Sequence, residues 1–202
     1  MATTDPQGGS DREVVRLCRQ GSEAGFRTML GKHHRFVFAL CWRLIGNREE
    51  ALDVTQEVFL RVSQSVHRLN PNPSLRPWLR RVATNLCLNL LNSRYWRDAK
   101  QDAADPATSR EGSPGGGAVG GALDPVGEAA ATSDELRRVN EAIKRLPPRQ
   151  RAVLILKVVE GLSYAEIGRV LALPTGTVKS HLSRARAGLR KTLAAEGLEA
   201  AQ

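Results

Sequence analysis

The chain has 202 residues, room for one domain or two small ones. Lysine and arginine total 30 against 21 acids, giving a formal net charge of +9, and aromatics make up only 4%. That charge points to a polyanionic partner, nucleic acid before an acidic membrane surface, and the few aromatics argue against a β-sandwich or barrel. No run of 18 apolar residues could span a membrane, and the polar stretch Met1 to Ser10 lacks the order of a signal peptide. Cys18, Cys41 and Cys87 lie far apart without a CxxC. They suit small buried positions in a reducing cytoplasm better than a disulfide framework or a zinc site.

The first 97 residues read as four helices. Ser10 with Glu13 forms a capping box ahead of Val14, Leu17 and Cys18, and Gly21 ends that helix. Phe26, Met29, Leu30, Phe36, Val37, Leu40, Cys41 and Leu44 then recur at three and four, up to Gly46-Asn47. Asn47 with Glu50 opens a third helix. Its apolar face is Ala51, Val54, Val58, Val62 and Val66, widened by Leu52 and Phe59, and the segment LNPNPS breaks it. Ser74 caps a fourth helix that tolerates Pro77 in its first turn and buries Leu79, Val82, Ala83, Leu86 and Leu90.

Composition shifts at Asp98. Residues 98–133 hold nine alanines, seven glycines and three prolines, too little apolar surface to offset chain entropy, so a flexible linker is expected. Four more helices follow. Thr132 with Glu135 starts the first, through Leu136, Val139 and Ile143. Pro147-Pro148 precedes Ala152, Val153, Ile155, Leu156 and Val159, and Gly161 ends that helix. Ser163 with Glu166 makes another capping box ahead of Ile167, Val170 and Leu171. After LALPTG, Thr175 is the expected cap of a last helix with Val178, Leu182, Ala185, Leu189 and Leu193 along one seam. Nothing alternates with period two for long, so the fold class is all-α: two small helical domains, residues 1–97 and 134–193, with a tail at 194–202. Both bodies are basic, net +7 and +8, while the tether is net −4. That pattern fits two contacts on one long polyanion.

Three helix faces carry chemistry. The last helix, entered through a short helix and a tight turn, opens with Thr177, Lys179, Ser180 and Ser183 and continues with Arg184, Arg186, Arg190 and Lys191. This is a helix-turn-helix arrangement, with hydroxyls and cations placed for base edges and phosphates. On the fourth helix Arg81, Asn85, Asn89, Asn92 and Trp96 share one face. Three asparagines there cost helix stability, which favours base-edge and stacking roles over a plain polar surface. On the third helix Asp53, Gln56, Glu57, Arg61 and Gln64 form an acidic face in a basic body, which suits a protein partner rather than DNA, the alternative being a plain solvated face. Catalytic signatures are missing: no GxxxxGK[ST], HExxH or GxSxG occurs, and adjacent His33 and His34 point about 100° apart on a helix. Neither a cofactor nor a metal is called for.

The segments ALDVTQEVFLRV, RPWLRRVATNLCLNLL and LPPRQRAVLILKVVEGLSYAEIGRVLALPTGTVKSHLSRARAGLRK resemble, in this order, the extracytoplasmic-function (ECF) class of sigma-70 family factors. The resemblance covers about residues 22–97 and 134–193. It implies a protein without chemistry of its own that binds core RNA polymerase, directs it to promoter DNA in the cytoplasm and helps melt it. Residues 1–97 would be region 2 and 134–193 region 4. Asp53, Gln56, Glu57 and Arg61 match the block that grips the polymerase clamp. Asn85 and its polar neighbours Arg81, Asn89 and Asn92 match the helix that reads the −10 element. The loop at 69–74, with Asn70 and Asn72, matches the one that captures a flipped-out base. Lys157, Tyr164, Lys179, Ser180, Ser183, Arg184 and Arg186 match positions facing the −35 element, with Thr177 beside them. Arg80 departs from the family's usual aromatic and His181 from its frequent arginine. The resemblance leaves room for an anti-sigma protein as a further partner. The competing reading is a stand-alone helix-turn-helix regulator, which would not need the D-x-x-Q-E face.

Overall fold

The computed structural model describes residues 10–68, 74–104 and 133–195, with side chains for 10–68, 74–95 and 136–195. Among them are eight α-helices and no strand: α1 Asp11–Arg19, α2 Glu23–Ile45, α3 Arg48–Ser65, α4 Arg76–Ala104, α5 Ser133–Lys144, α6 Pro148–Val158, α7 Tyr164–Leu171 and α8 Thr175–Ala195. A 3-10 turn, Val66–Arg68, follows α3.

Helices α1 to α4 form one bundle around Met29, Val37, Leu40, Leu44, Val58, Leu79 and Ala83. All three cysteines are buried, as their scatter suggests. Ser10 accepts from the Glu13 amide at 3.3 Å, yet the Glu13 carboxylate turns to Arg16. Only half of the expected capping box forms, because an i,i+3 arginine competes for the acid. The buried face of α3 also differs from expectation. It runs Ala51, Thr55, Val58 and Val62, with Leu52 exposed. Thr55 enters this apolar stripe by donating its hydroxyl to the Ala51 carbonyl at 2.6 Å, so no polar hydrogen is left unpaired.

Helix α4 runs to Ala104, seven residues past the composition break. The stretch Ala99, Lys100, Gln101, Ala103 and Ala104 is rich in strong helix formers, and a helix already nucleated extends through it at little cost. Residues 105–132, most of the expected linker, lie outside the described residues, as does Thr132.

Helices α5 to α8 form the second bundle. Residues Ala152 to Leu156 on α6 are all buried, the mark of a central helix. Ser163 and Glu166 complete a reciprocal capping box at the start of α7. The turn after α7 is tight. Leu173 donates its amide to the Gly168 carbonyl at 2.9 Å, and a Cβ on Gly168 would sit 2.7 Å from the Leu173 oxygen. Ala172 adopts φ 52°, a left-handed conformation rare for a residue with a side chain. Thr175 is the first residue of α8 rather than its cap: the Val178 amide bonds the Pro174 carbonyl at 3.1 Å.

The two bundles pack together through α4 against α6 and α7 and through α2 against α6. Arg151, 6% exposed, donates to the Leu44 carbonyl at 3.0 Å and to the Lys144 carbonyl, and so caps the last turns of α2 and α5 at once. Burial lowers its pKa to about 10, which leaves it charged at neutral pH.

Candidate functional site

The bundle sorts the faces of α4. Leu79, Ala83, Thr84, Cys87, Leu88 and Leu91 point inward. Offset by about 140° lie Arg81, Asn85 and Asn89, all exposed, with Asn92 half-buried beside them. The structure thus brings these four expected residues onto one face. Asn70, Asn72 and the side chain of Trp96 lie outside the described residues.

On α3, Asp53, Gln56 and Arg61 are exposed and Glu57 is half-buried. Arg61 Nε donates to Glu57 Oε1 at 2.7 Å, so part of this face is internally paired. A groove of about 480 Å³ separates α3 from α4. Glu57, Arg61 and Gln64 line one side, Trp78, Val82 and Asn85 the other. The face expected to meet protein and the face expected to meet DNA therefore share one groove. On the far side of Gln56, a groove of about 400 Å³ between α2 and α3 is lined by Phe26, Met29, Leu30, His34, Phe59 and Leu60. Exposed Leu30, Leu52 and Leu60 make the α3 surface more apolar than its charges alone suggest. A strict reading of helical period hides this, since leucines are assigned inward by default.

On α6, α7 and α8, Lys179, Ser180, Ser183, Arg184 and Arg186 are exposed, and Lys157, Tyr164 and Thr177 are half-buried. Lys157, Tyr164 and Lys179, from three successive helices, come together at one corner of the second bundle. Two ammonium groups share the Tyr164 ring, Lys157 Nζ at 5.1 Å and Lys179 Nζ at 5.7 Å from its centroid. Lys157 also donates to the Leu162 carbonyl at 3.1 Å, which holds it in place. Ser180 donates its hydroxyl to the Gly176 carbonyl at 3.0 Å, so outward it offers only an acceptor. His181 is half-buried. Burial lowers its pKa, and Arg184 and Arg149 lower it further, which keeps the ring neutral.

Two clusters escaped the sequence. Glu160, at the end of α6, accepts from Arg80 Nε at 3.2 Å and Nη2 at 3.1 Å, with Arg43 at 3.8 Å. Arg80 thus joins the first bundle to the second. Its place in the family's aromatic position was visible, its partner 80 residues away was not. The second cluster is Asp11 with His33, both buried. Burial alone would raise the Asp11 carboxyl, but the Lys32 ammonium and donors from Leu75 and Ser74 bring it to about 2. Burial lowers His33, with Asp11 opposing, so the ring is neutral and Nε2–H donates to Asp11 Oδ1 at 3.2 Å. Among the described residues no cluster of His, Cys, Asp and Glu could hold a metal ion, and no helix is long and apolar enough to cross a membrane.

Residues 29–97 match the family model for sigma-70 region 2, and residues 136–189 match that for sigma-70 region 4. The ECF RNA polymerase sigma factor SigW of Bacillus subtilis is 31% identical over 186 residues, 90% of this chain and 96% of the relative. The chain belongs to the ECF class of sigma-70 factors. SigE of Mycolicibacterium smegmatis is 32% identical over 91% of this chain and 67% of its own length. Among solved structures, CnrH in complex with the cytosolic domain of CnrY superposes with a TM-score of 0.58 at 23% identity, over 93% of this chain and 99% of that one. The sigma factor RpoE of Bartonella quintana, in complex with the anti-sigma factor NepR, gives 0.55 at 23% identity over 83% of this chain and 96% of that one. These two likenesses bear on the fold, an all-α sigma-factor arrangement over both bundles. As a sigma factor the chain is a regulatory DNA-binding protein, and a stand-alone helix-turn-helix regulator is not the favoured reading.

Proposed function

We propose that residues 1–97 work as region 2 and residues 134–193 as region 4 of a sigma factor that acts by binding, without chemistry of its own, in the cytoplasm. Asp53, Gln56, Glu57 and Arg61 grip core RNA polymerase. Arg81, Asn85, Asn89 and Asn92 read the −10 element, with Asn70 and Asn72 taking the unpaired base. Thr177, Lys179, Ser180, Ser183, Arg184 and Arg186 read the −35 element, supported by Lys157 and Tyr164. The observation that carries this reading is the groove shared by Glu57, Arg61 and Asn85. Polymerase seated on α3 would form the second wall of the channel in which Asn85 meets DNA. Unstacking a base costs a few kcal/mol, and a lone small domain has little to offset that cost. Coupling the two faces makes melting conditional on polymerase.

The chemistry of α8 refines the −35 contact. Ser180 presents an acceptor, which pairs with the amino group of adenine or cytosine in the major groove rather than with guanine O6. Lys157, held by a carbonyl and a ring, suits a phosphate. Since the two solved relatives are complexes with CnrY and NepR, an anti-sigma protein is counted among the partners of this chain as well. Run-off transcription with purified core polymerase tests the reading. A promoter-specific transcript that appears only with this chain is expected, and specific duplex binding without any core-dependent transcript would overturn it.

A further inference from the structure

Helix α1 carries none of the residues assigned to polymerase or DNA, yet it holds the most heavily bonded carboxylate described in the chain. Asp11, 5% exposed, sits in its first turn. Its Oδ2 accepts from the Leu75 amide at 2.6 Å and from the Ser74 hydroxyl at 3.0 Å. Its Oδ1 faces Lys32 Nζ at 2.9 Å and His33 Nε2 at 3.2 Å. Ser74 in turn accepts from the Arg76 amide at 3.2 Å, so the start of α4 is capped jointly by Ser74 and by a carboxylate from another helix. At the other end of α1, Arg19 Nε donates to the Val66 carbonyl at 3.3 Å, in the 3-10 turn that closes α3.

These two contacts are eight residues apart on a rigid helix, about 12 Å along its axis. They grip the chain at Val66 and at Ser74–Leu75, on either side of the interval that contains residues 69–73. A helix used only to fill the core would need its apolar face of Val14, Val15 and Cys18 and nothing more. A buried carboxylate satisfied by four donors from two other segments is instead a device for fixing position, since each missing donor would leave it poorly compensated. Lys32 and His33 come from α2, the central helix of the bundle, so the grip is referred to the core and not only to α1.

We propose that Asp11 and Arg19 are positioning residues for promoter opening, which set the separation between the end of α3 and the start of α4 and so present Asn85 to the unpaired −10 strand. Neither residue touches DNA. The inference rests on the reading of α4 given above, and it makes α1 a spacer for that site.

The test uses holoenzyme reconstituted from the full chain and core polymerase. Its probes are a single-stranded oligonucleotide carrying the non-template −10 sequence and a duplex carrying only the −35 element. Asp11→Asn and Arg19→Gln should each weaken the oligonucleotide about tenfold, the scale of one charge-assisted hydrogen bond, while core binding and −35 duplex affinity stay within about twofold. Arg19→Lys, which keeps a donor for Val66, should restore most of the affinity. Unchanged oligonucleotide binding in both variants overturns the inference, and so does a parallel fall in all three affinities, which marks a fold defect only. If Asp11→Asn fails to fold, Arg19→Gln and its lysine rescue decide alone. Asn85→Ala separates the two levels. If it binds the oligonucleotide like wild type, the reading of α4 itself fails. If it is weakened while Asp11→Asn and Arg19→Gln are not, only the positioning inference falls.

Discussion

The two bundles are held together by different means. The second buries Ala152 to Leu156, and among its described residues the one buried charge, Arg151, lies at the edge where the first bundle begins. Its helices are bounded by local devices, the Ser163–Glu166 box and the Gly168–Leu173 turn. The first bundle keeps Asp11, His33, Thr55 and Thr84 inside. Its functional helix starts on a carboxylate 64 residues earlier in the chain. The unit with local boundaries presents a preformed face, whereas the unit with long-range polar ties presents a face whose position depends on the rest of the bundle. On the proposed reading, in which one bundle holds duplex and the other opens it, the second property belongs to the opening domain.

The largest expected effect breaks the first bundle's protein face. Asp53→Arg with Glu57→Arg should abolish capture of core polymerase in pull-down and leave helicity by circular dichroism unchanged. Both acids lie outside the core, and Glu57 pairs with Arg61 of its own helix. Undiminished capture would show that polymerase binds elsewhere.

This contrast also governs what could be read from the sequence. The second bundle was legible in its element order, because caps, breaks and the apolar seam of α8 are short-range, although Thr175 starts α8 rather than capping it and Leu136 and Val159, expected on apolar faces, are exposed. Arg151 was not, since an arginine beside an apolar run normally faces water. In the first bundle the elements and the Arg81–Asn85–Asn89–Asn92 face were legible from spacing. Asp11 and His33 were not, because an acid in a first turn is ordinary in every helix and nothing local shows that Leu75 will pack against it. The end of α4 was misplaced because composition marks where a core ends, not where a helix does.

A smaller effect is expected in the second bundle. Gly168→Ala places a Cβ 2.7 Å from the Leu173 oxygen, a backbone atom that cannot swing away. The turn must shift, at a cost of about 1–3 kcal/mol, the usual range for overpacking. Urea denaturation should show that loss, and −35 duplex binding should fall with it because the turn aims α8. A variant as stable as wild type would mean the turn is looser than its geometry.

Acid should find the first bundle before it disturbs the helices of the second. The folded state depresses the pKa of His33, so the neutral ring contributes stability that is complete above the ordinary value of 6.5 and is lost as pH falls below it. Asp11 falls from 3.8 to about 2, so its contribution is present above pH 3.8 and disappears towards pH 2, a loss of about 2 kcal/mol. His181 acts in the same direction in the second bundle, but it is only half-buried. His33→Gln, which can still donate to Asp11, should flatten the step below pH 6.5 in thermal unfolding and leave the lower one. An unaltered upper step would assign it to another histidine.

The smallest energetic effect concerns the contact between the bundles. Bodies of net charge +7 and +8 repel, and Glu160 stands between Arg80 and Arg43 where they meet. The −10 and −35 elements lie about 25 base pairs apart, roughly 85 Å at about 3.4 Å per pair. If the two bundles take these two elements as proposed, bundles in direct contact do not reach both, and the junction separates on a promoter. Glu160→Gln leaves Arg80 stacked 5.3 Å from the Phe36 ring but removes the only acid described between the arginines. Glutamine keeps the shape of the side chain and an acceptor for Arg80, so the melting temperature should fall little. The distance between labels on α3 and α8, measured by energy transfer, should nevertheless lengthen in the free protein. Added salt screens the repulsion in both proteins but the Glu160 attraction only in wild type, so it should shorten the distance more in the variant than in wild type. If the variant's distances match wild type at every salt concentration, then Arg151, with its bonds to Leu44 and Lys144, holds the bundles together without help from Glu160.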